Sequence, residues 1–420
     1  MISKKISYTN TIKELNGKIA LPSSKSISNR LLIIQYLCEN SFKINNISCA
    51  NDTKVLQEAI LKINNHSGNE ILEIDVKDAG TSFRFLITLL AIESNKTYLI
   101  KGTDRLHQRP IRSLVDALKS MKAEIEYMDK ENYAPIQIKG KKLYGGFVEI
   151  EANESSQFVS ALCLVAPMLE RGITISLLKK PVSFSYVEMT LSLMRYFGIE
   201  VNINENKINI IHQKYIAKNI EVESDWSSAS FFYAMTILCD KVNLKFENIF
   251  SDSIQGDAVI AVISKRWHID SVFEDNTLFI RKGKQYDSKE SSECIDLTHY
   301  PDIALPLIVA CAIRFPQQTF TGLGHLQHKE SDRIKAIGTE LSKIGIKICY
   351  TKDILSIDNS ALIKPNAPIL FDTYNDHRIA MSLSMLALAG FTCVLNNGNC
   401  VSKSFPGFWN QLKQIGFWVE

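Results

Sequence analysis

The sequence predicts a mixed α/β (α+β) protein of two similar globular domains, each made of three copies of one strand–helix–strand–helix–strand–strand unit. Three observations predict it. The chain has 420 residues, more than one hydrophobic core ordinarily serves. A short polar cap followed at once by a helix-length apolar run occurs six times. With Ser23, Gly80, Ser155, Ser227, Asp302 and Asp376 as landmarks, successive caps lie 57, 75, 72, 75 and 74 residues apart, the signature of an internal repeat.

The first cap is Leu21-Pro-Ser-Ser-Lys-Ser-Ile-Ser-Asn-Arg30, running into Leu31-Leu-Ile-Ile-Gln-Tyr-Leu37. Pro22 stiffens the approach. Serines and Asn29 suit the unpaired N–H groups of a first helical turn, where the helix dipole favours an anion. Lys25 and Arg30 add full positive charges. The second cap is Asp78-Ala-Gly-Thr-Ser-Phe-Arg84, the third Glu154-Ser-Ser-Gln157, and the fourth Asp225-Trp-Ser-Ser-Ala-Ser230. The fifth is His299-Tyr-Pro-Asp302 and the sixth Tyr374-Asn-Asp-His-Arg378. The helices they open are apolar nearly all round and must be buried.

A second, amphipathic helix follows most of these, over 53–63, 110–121, 186–197, 257–267, 331–344 and 408–415. Gly198, Gly345 and Gly416 fit the left-handed position that ends a helix. Alternating strand pairs over 200–211 and 346–357 turn on Asn-rich and Lys-Asp centres. The sixth unit runs out just inside its closing strand, so the segment up to about residue 20 is expected to supply the missing one. The domains are then 21–223, and 1–20 with 224–420. The chain would cross near 20–22 and near 223–225, which makes a hinge. With equivalent helices parallel and two such faces opposed, six helix N-termini would surround one cleft, an anion trap.

Composition narrows the function. Hydrophobic residues at 45% and charged residues at 22% are those of a soluble globular protein. A net charge of +3 argues against nucleic acid or an anionic membrane as partner. The N-terminus has no apolar h-region, and the longest apolar run, 303–313, contains Pro306 and is too short to span a bilayer. Nine cysteines include no C-x-x-C; Cys38, Cys163, Cys239, Cys311 and Cys393 read as buried reduced thiols of a cytoplasmic protein. Phosphate-loop, dinucleotide and nucleophile-elbow motifs are absent. His325 and His328 form H-x-x-H without a third ligand of suitable spacing, so no metal is expected.

The charges at or beside the caps are more telling. They are Lys25, Arg30, Arg84, Arg109, Arg333, Arg378 and Lys403. Any one reads as a solvated surface charge; seven at related places read as a site for phosphate and carboxylate groups. Asp302 and Glu330 stand among them and must balance charge or move protons. Their ordinary roles would be a helix cap for Asp302 and a surface pair with Lys329 for Glu330. At Gly80 a side chain would block close approach of an anion to the backbone.

At these residues the chain resembles the 5-enolpyruvylshikimate-3-phosphate (EPSP) synthase family of enolpyruvyl transferases. Pro22-Ser-Ser-Lys-Ser-Ile-Ser-Asn-Arg30 is similar to the family's P-G-S-K-S-x-S-N-R, and Ala79-Gly-Thr-Ser-Phe-Arg84 to its A-G-T-A-x-R. Arg109-Pro-Ile111, Ser155-Ser-Gln157, Lys329-Glu-Ser-Asp-Arg333, Asn375-Asp-His-Arg378 and Lys403-Ser-Phe-Pro406 follow in the family's order. The resemblance implies two globules of three βαβαββ units each, with buried parallel helices (an inside-out α/β barrel) and the active site in the interdomain cleft. It also implies transfer of the carboxyvinyl group of phosphoenolpyruvate to the 5-hydroxyl of shikimate 3-phosphate, by addition and elimination.

By the same resemblance, the catalytic residues are Asp302, the base at the 5-hydroxyl, Glu330, an acid/base at the methylene carbon, and Lys25, which bridges both substrates and shares in proton transfer; either Lys25 or Glu330 protonates the methylene carbon. Shikimate 3-phosphate would be held by Lys25, Ser26, Arg30, Ser155, Ser156, Gln157, Ser183, Tyr186, Asp302 and Lys329. Phosphoenolpyruvate would be held by Lys25, Gly80, Thr81, Arg84, Arg109, Gln157, Arg333, Arg378 and Lys403. No cofactor and no metal is implied, and a monomer is expected. Asp78 stands where the family usually has Asn, and Phe85 where many members have Pro; both border the phosphoenolpyruvate pocket, which glyphosate-like mimics share. His325 replaces another polar residue.

A UDP-N-acetylglucosamine enolpyruvyl transferase would carry a reactive cysteine near Arg105-Leu-His-Gln-Arg109, where there is none. An RNA 3′-phosphate cyclase would need a basic face. A non-catalytic anion-binding protein on this scaffold would have no use for Asp302 and Glu330 together.

Overall fold

Six helices carry the core of the computed structural model, which describes all residues but 1, 10–12, 69, 152, 154, 180, 283–292 and 365. They are α1 (Lys25–Leu37), α2 (Gly80–Ile92), α3 (Ser156–Val165), α4 (Trp226–Ile237), α5 (Pro301–Arg314) and α6 (His377–Ser384). Each begins at one of the polar caps; Glu154 of the third lies outside the described residues. Every residue of α4 is buried, and so is nearly all of α2. A buried Leu, Ile or Phe contributes about 1.5–3 kcal/mol, so burial holds these helices more than propensity does.

The chain divides into two compact units: unit A, Ser24–Val222, and unit B, Met1–Ser23 with Glu223–Glu420. In unit A, α1, α2 and α3 pack against one another; in unit B, α5 packs on both α4 and α6.

Among the described residues, five sheets have four strands and one has two. The pattern is plainest in Leu72–Asp75, Thr97–Lys101, Glu124–Tyr127 and Ile136–Lys139, where the first pair is parallel and a hairpin closes the sheet. Gly198, Gly345 and Gly416 take φ of +85°, +79° and +96°, the left-handed values that end a helix. In the sixth unit, Lys4–Ser7 lies between Cys393–Leu395 and Trp418–Val419 and fills the place of the last strand.

Three features depart from a sixfold identical repeat. The first unit has only the parallel pair Ile44–Asn45 and Ile220–Glu221, without a hairpin, which accounts for its 57-residue spacing. The strands leading into α1 and α4 are exchanged. Glu14–Ile19 pairs with Lys241–Glu247 beyond α4, whereas Ile220–Glu221 pairs with Ile44–Asn45 beyond α1. The helix expected over 257–267 is a 3-10 turn (Gly256–Val259), one α turn (Ile260–Ile263) and another 3-10 turn (Ser264–Trp267). Val259, Ile260, Val262 and Ile263 are β-branched and crowd an α-helix. All nine cysteines are free, and Cys38 is half-buried rather than buried.

Candidate active site

In unit A, side chains from the three caps meet through hydrogen bonds. Ser24 caps α1 by accepting from the Ile27 N–H at 3.4 Å. Lys25 Nζ then pairs with Asp52 Oδ2 at 3.2 Å, and the Asp52 carbonyl accepts from Ser82 Oγ in the first turn of α2. Thr81 Oγ1 accepts from Gln157 Nε2 at 3.0 Å, which joins α2 to α3. Ser155 caps α3 through the Gln157 N–H, and Ser156 is buried beside it. Asp52 carried no sequence signal, because its partner lies far away along the chain.

Arg30 is 2% exposed, beneath this surface. Its Nε donates to Thr190 Oγ1, Nη1 to the Ser26 carbonyl, and Nη2 to Ser160 Oγ and the Tyr186 carbonyl. Phe85 and Tyr186 lie within cation–π range. Burial, opposed by Tyr186, lowers the guanidinium to about 10, so it stays charged at neutral pH. Ser183, just before Tyr186, is buried with φ +53°, a strained value for serine.

Gly80 is the first residue of α2. A Cβ there would overlap the Arg109 guanidinium and lie 3.0 Å from Arg84 Nη1. The absent side chain is thus the space in which two arginines meet the helix end. Arg84 Nη1 donates to the Gly80 carbonyl at 2.9 Å. Arg109 Nε and Gln157 Oε1 are buried without a hydrogen-bond partner among the described residues. Buried orphans of this kind are what a polar ligand satisfies.

In unit B the first turns of α5 and α6 are joined by charge. Asp302 Oδ2 pairs with Arg378 Nη2 at 2.7 Å, and Oδ1 with Arg333 Nη1 at 3.5 Å. Pro306 has no N–H to donate to the Asp302 carbonyl one turn earlier; that carbonyl instead accepts from Arg378 Nη1 at 2.9 Å. Asp302 does not cap α5, whose N-cap is Tyr300. Glu330 Oε2 pairs with Arg333 Nη2 at 2.8 Å, so it engages a buried arginine. Asp376, fully buried, caps α6 and accepts from Arg333 Nε at 2.8 Å and from Ser331 Oγ at 3.0 Å. Burial alone would lower Arg333, but Asp376, Glu330 and Asp302 outweigh it and hold the guanidinium above its ordinary value. Lys403 is buried, and Lys329 half-buried.

A further carboxylate, Asp257, accepts from Ser227 Oγ in the first turn of α4 at 2.5 Å. Burial and then the Asp302 charge push it up to about 7. Among the described residues no group of three His, Cys, Asp or Glu is placed to hold a metal. His328 is exposed, and burial, with Lys329 adding to it, lowers His325 to about 3 and keeps it neutral. No helix among the described residues is long and apolar enough to cross a membrane.

Six of the seven basic side chains expected to matter are at least nine-tenths buried; Lys25 keeps 16% of its side-chain surface. A solvated surface role does not fit that burial. Guanidinium groups buried beside helix N-termini can bind small polyanions, and the carboxylates paired with them can take a proton from a hydroxyl.

Comparison with known proteins gives the same direction. Residues 9–412 match the EPSP synthase (3-phosphoshikimate 1-carboxyvinyltransferase) family. A 3-phosphoshikimate 1-carboxyvinyltransferase of Bacteroides fragilis is 35% identical over 409 residues, covering 97% of both chains. That of Colwellia psychrerythraea is 33% identical, covering 97% of this chain and 98% of its own. In solved structures, EPSP synthase from Acinetobacter baumannii superposes over the whole of both chains with a TM-score of 0.75 at 21% identity. The enolpyruvyl transferase NikO from Streptomyces tendae gives 0.74 at 13% identity. These structural likenesses establish the shared fold.

Proposed function

The chain belongs to the EPSP synthase (3-phosphoshikimate 1-carboxyvinyltransferase) family, and we propose how its residues carry out that family's reaction. The enzyme transfers the carboxyvinyl group of phosphoenolpyruvate to the 5-hydroxyl of shikimate 3-phosphate and releases phosphate. Two phosphates and two carboxylates must be bound together, which calls for several buried cations. The bond broken is C–O, so phosphorus needs no metal to polarise it. Addition requires a proton delivered to the methylene carbon and one taken from the 5-hydroxyl; elimination then returns the added proton.

We assign Asp302 as the base at the 5-hydroxyl. The support is its pairing with Arg378 and Arg333, since opposite charges favour the carboxylate that can accept a proton. Lys25, an ammonium beside Asp52, suits delivery of the proton to the methylene carbon. Glu330, held by Arg333, suits its removal during elimination. Ser26, Arg30, Ser155, Ser156, Ser183, Tyr186 and Lys329 are assigned to shikimate 3-phosphate. Gly80, Thr81, Arg84, Arg109, Arg333, Arg378 and Lys403 are assigned to phosphoenolpyruvate, with Gln157 serving both. Arg30 acts largely by orienting the Ser26 and Tyr186 backbone, because its donors are spent on protein oxygens.

The observation that carries this reading is the array of half-buried Asp302 and Glu330 and fully buried Asp376 around buried Arg333 and Arg378. The test is release of inorganic phosphate by the purified protein. Release that requires phosphoenolpyruvate and shikimate 3-phosphate together supports the reading. Release from phosphoenolpyruvate alone, or none with both, overturns it.

A further inference from the structure

The loop that delivers Asp376 and Arg378 is strained. It runs from strand Ile369–Phe371 into α6, and two consecutive non-glycine residues in it, Tyr374 and Asn375, have φ of +51° and +53°. Asn tolerates the left-handed region; Tyr does so rarely, and such backbone persists only where its surroundings fix it. The surroundings here converge on one buried carboxylate. Glu340 is 1% exposed on helix Arg333–Ser342. Its Oε1 accepts from the Tyr374 hydroxyl at 2.9 Å, and its Oε2 from the Asp372 N–H at 2.9 Å and from Lys343 Nζ at 2.6 Å. Asp372 Oδ1 in turn accepts from the Tyr374 N–H at 2.8 Å and from Asn396 Nδ2 at 2.9 Å. Burial, with Glu340 adding to it, pushes the Tyr374 phenol up to about 12, so it remains the donor to Glu340.

Arg333 and Glu340 are seven residues apart on this helix, two turns along one face. The helix therefore grips the loop twice, through Arg333 on Asp376 and through Glu340 on Tyr374 and Asp372. We propose that Glu340 is a positioning residue for phosphoenolpyruvate binding, holding the strained loop so that Asp376 fixes Arg333 and Arg378 in register with Asp302. It touches no substrate. The proposal rests on the assignment of Arg333 and Arg378 to phosphoenolpyruvate.

Glu340→Ala, Glu340→Gln and Tyr374→Phe test it by steady-state kinetics with each substrate varied, after wild-type turnover has been measured. Loss of wild-type turnover would refute the assigned function, independently of Glu340. Given turnover, Glu340→Ala is expected to raise the KM for phosphoenolpyruvate about tenfold or more, the effect of one or two lost hydrogen bonds, and to leave that for shikimate 3-phosphate unchanged. Glu340→Gln keeps an oxygen for the Asp372 N–H and an amide that can donate to the Tyr374 oxygen, and should restore most of the wild-type value. Tyr374→Phe removes one hydroxyl and should fall between the two; it carries the test alone should Glu340→Ala not fold. A merely structural carboxylate would lower the amount of folded enzyme, and so the apparent kcat, at constant KM. Constant phosphoenolpyruvate KM in Tyr374→Phe and in whichever Glu340 variants fold, or equal rises for both substrates, would overturn the proposal.

Discussion

Gly80→Ala adds one methyl group at the first residue of α2, and its two consequences differ in size. The new Cβ would overlap the Arg109 guanidinium and press on Arg84 Nη1. Both are ends of flexible side chains, so the fold can yield. Moving a side chain off its preferred rotamer costs about 0.5–1.5 kcal/mol; Gly→Ala in a helix returns up to about 1 kcal/mol. Stability should thus change by less than about 1 kcal/mol, a melting shift within about 3 °C. Binding has no such offset. A displaced guanidinium forfeits a charge-assisted hydrogen bond to the anion, about 1.5–3 kcal/mol, or about 10- to 150-fold in the KM for phosphoenolpyruvate. Phosphate-release kinetics with each substrate varied, beside a thermal melt, measure both. An unchanged phosphoenolpyruvate KM would rule out this role for Gly80, as would an equal rise for shikimate 3-phosphate or a large fall in melting temperature.

Three further outcomes are expected. Asp302→Asn should cut kcat by about 10²- to 10⁴-fold while calorimetry still detects shikimate 3-phosphate binding; normal turnover would remove Asp302 as the base. Burial lifts the Glu223 carboxyl from 4.5 to about 7, so across that window the folded state holds the extra proton and stability falls as pH rises. Glu223→Gln, which keeps an acceptor for Ser253 Oγ, should gain up to about 3 kcal/mol over the parent in urea melts at pH 8 and nothing at pH 4; an equal effect at both would contradict the burial argument. Turnover should survive EDTA, and a metal requirement would restore His325 and His328 as candidate ligands.

What could be read from the sequence was local chemistry repeated. A polar cap followed by an all-apolar run marks a buried helix wherever it occurs, and Gly198, Gly345 and Gly416 mark helix ends because their φ leaves little alternative. Strand partnership was less legible, since pairing depends on which edge is free. The segment up to residue 20 is expected to close the sixth unit, as Lys4–Ser7 does, but nothing in Glu14–Ile19 says that it pairs with Lys241–Glu247 beyond α4. The helix expected at 257–267 failed because its apolar spacing was right but its β-branched run favoured a tighter winding. At the site, Lys25, Arg30 and Asp302 stand in motifs, whereas Asp52, Asp257 and Glu340 are lone acids given meaning by partners distant in the chain. Pro306 lay in plain view within an apolar run and leaves the Asp302 carbonyl without a helical donor, but nothing in the sequence said that Arg378 would take that carbonyl.

Carboxyvinyl transfer breaks the C–O bond of phosphoenolpyruvate, and an isotope in that bridge follows the break. Phosphoenolpyruvate carrying ¹⁸O in the bridge between carbon and phosphorus is turned over with shikimate 3-phosphate, and the products are weighed by mass spectrometry. The label is expected in the released phosphate, with none in the enol ether. Label retained on the three-carbon fragment would mean that the P–O bond breaks, and would contradict carboxyvinyl transfer.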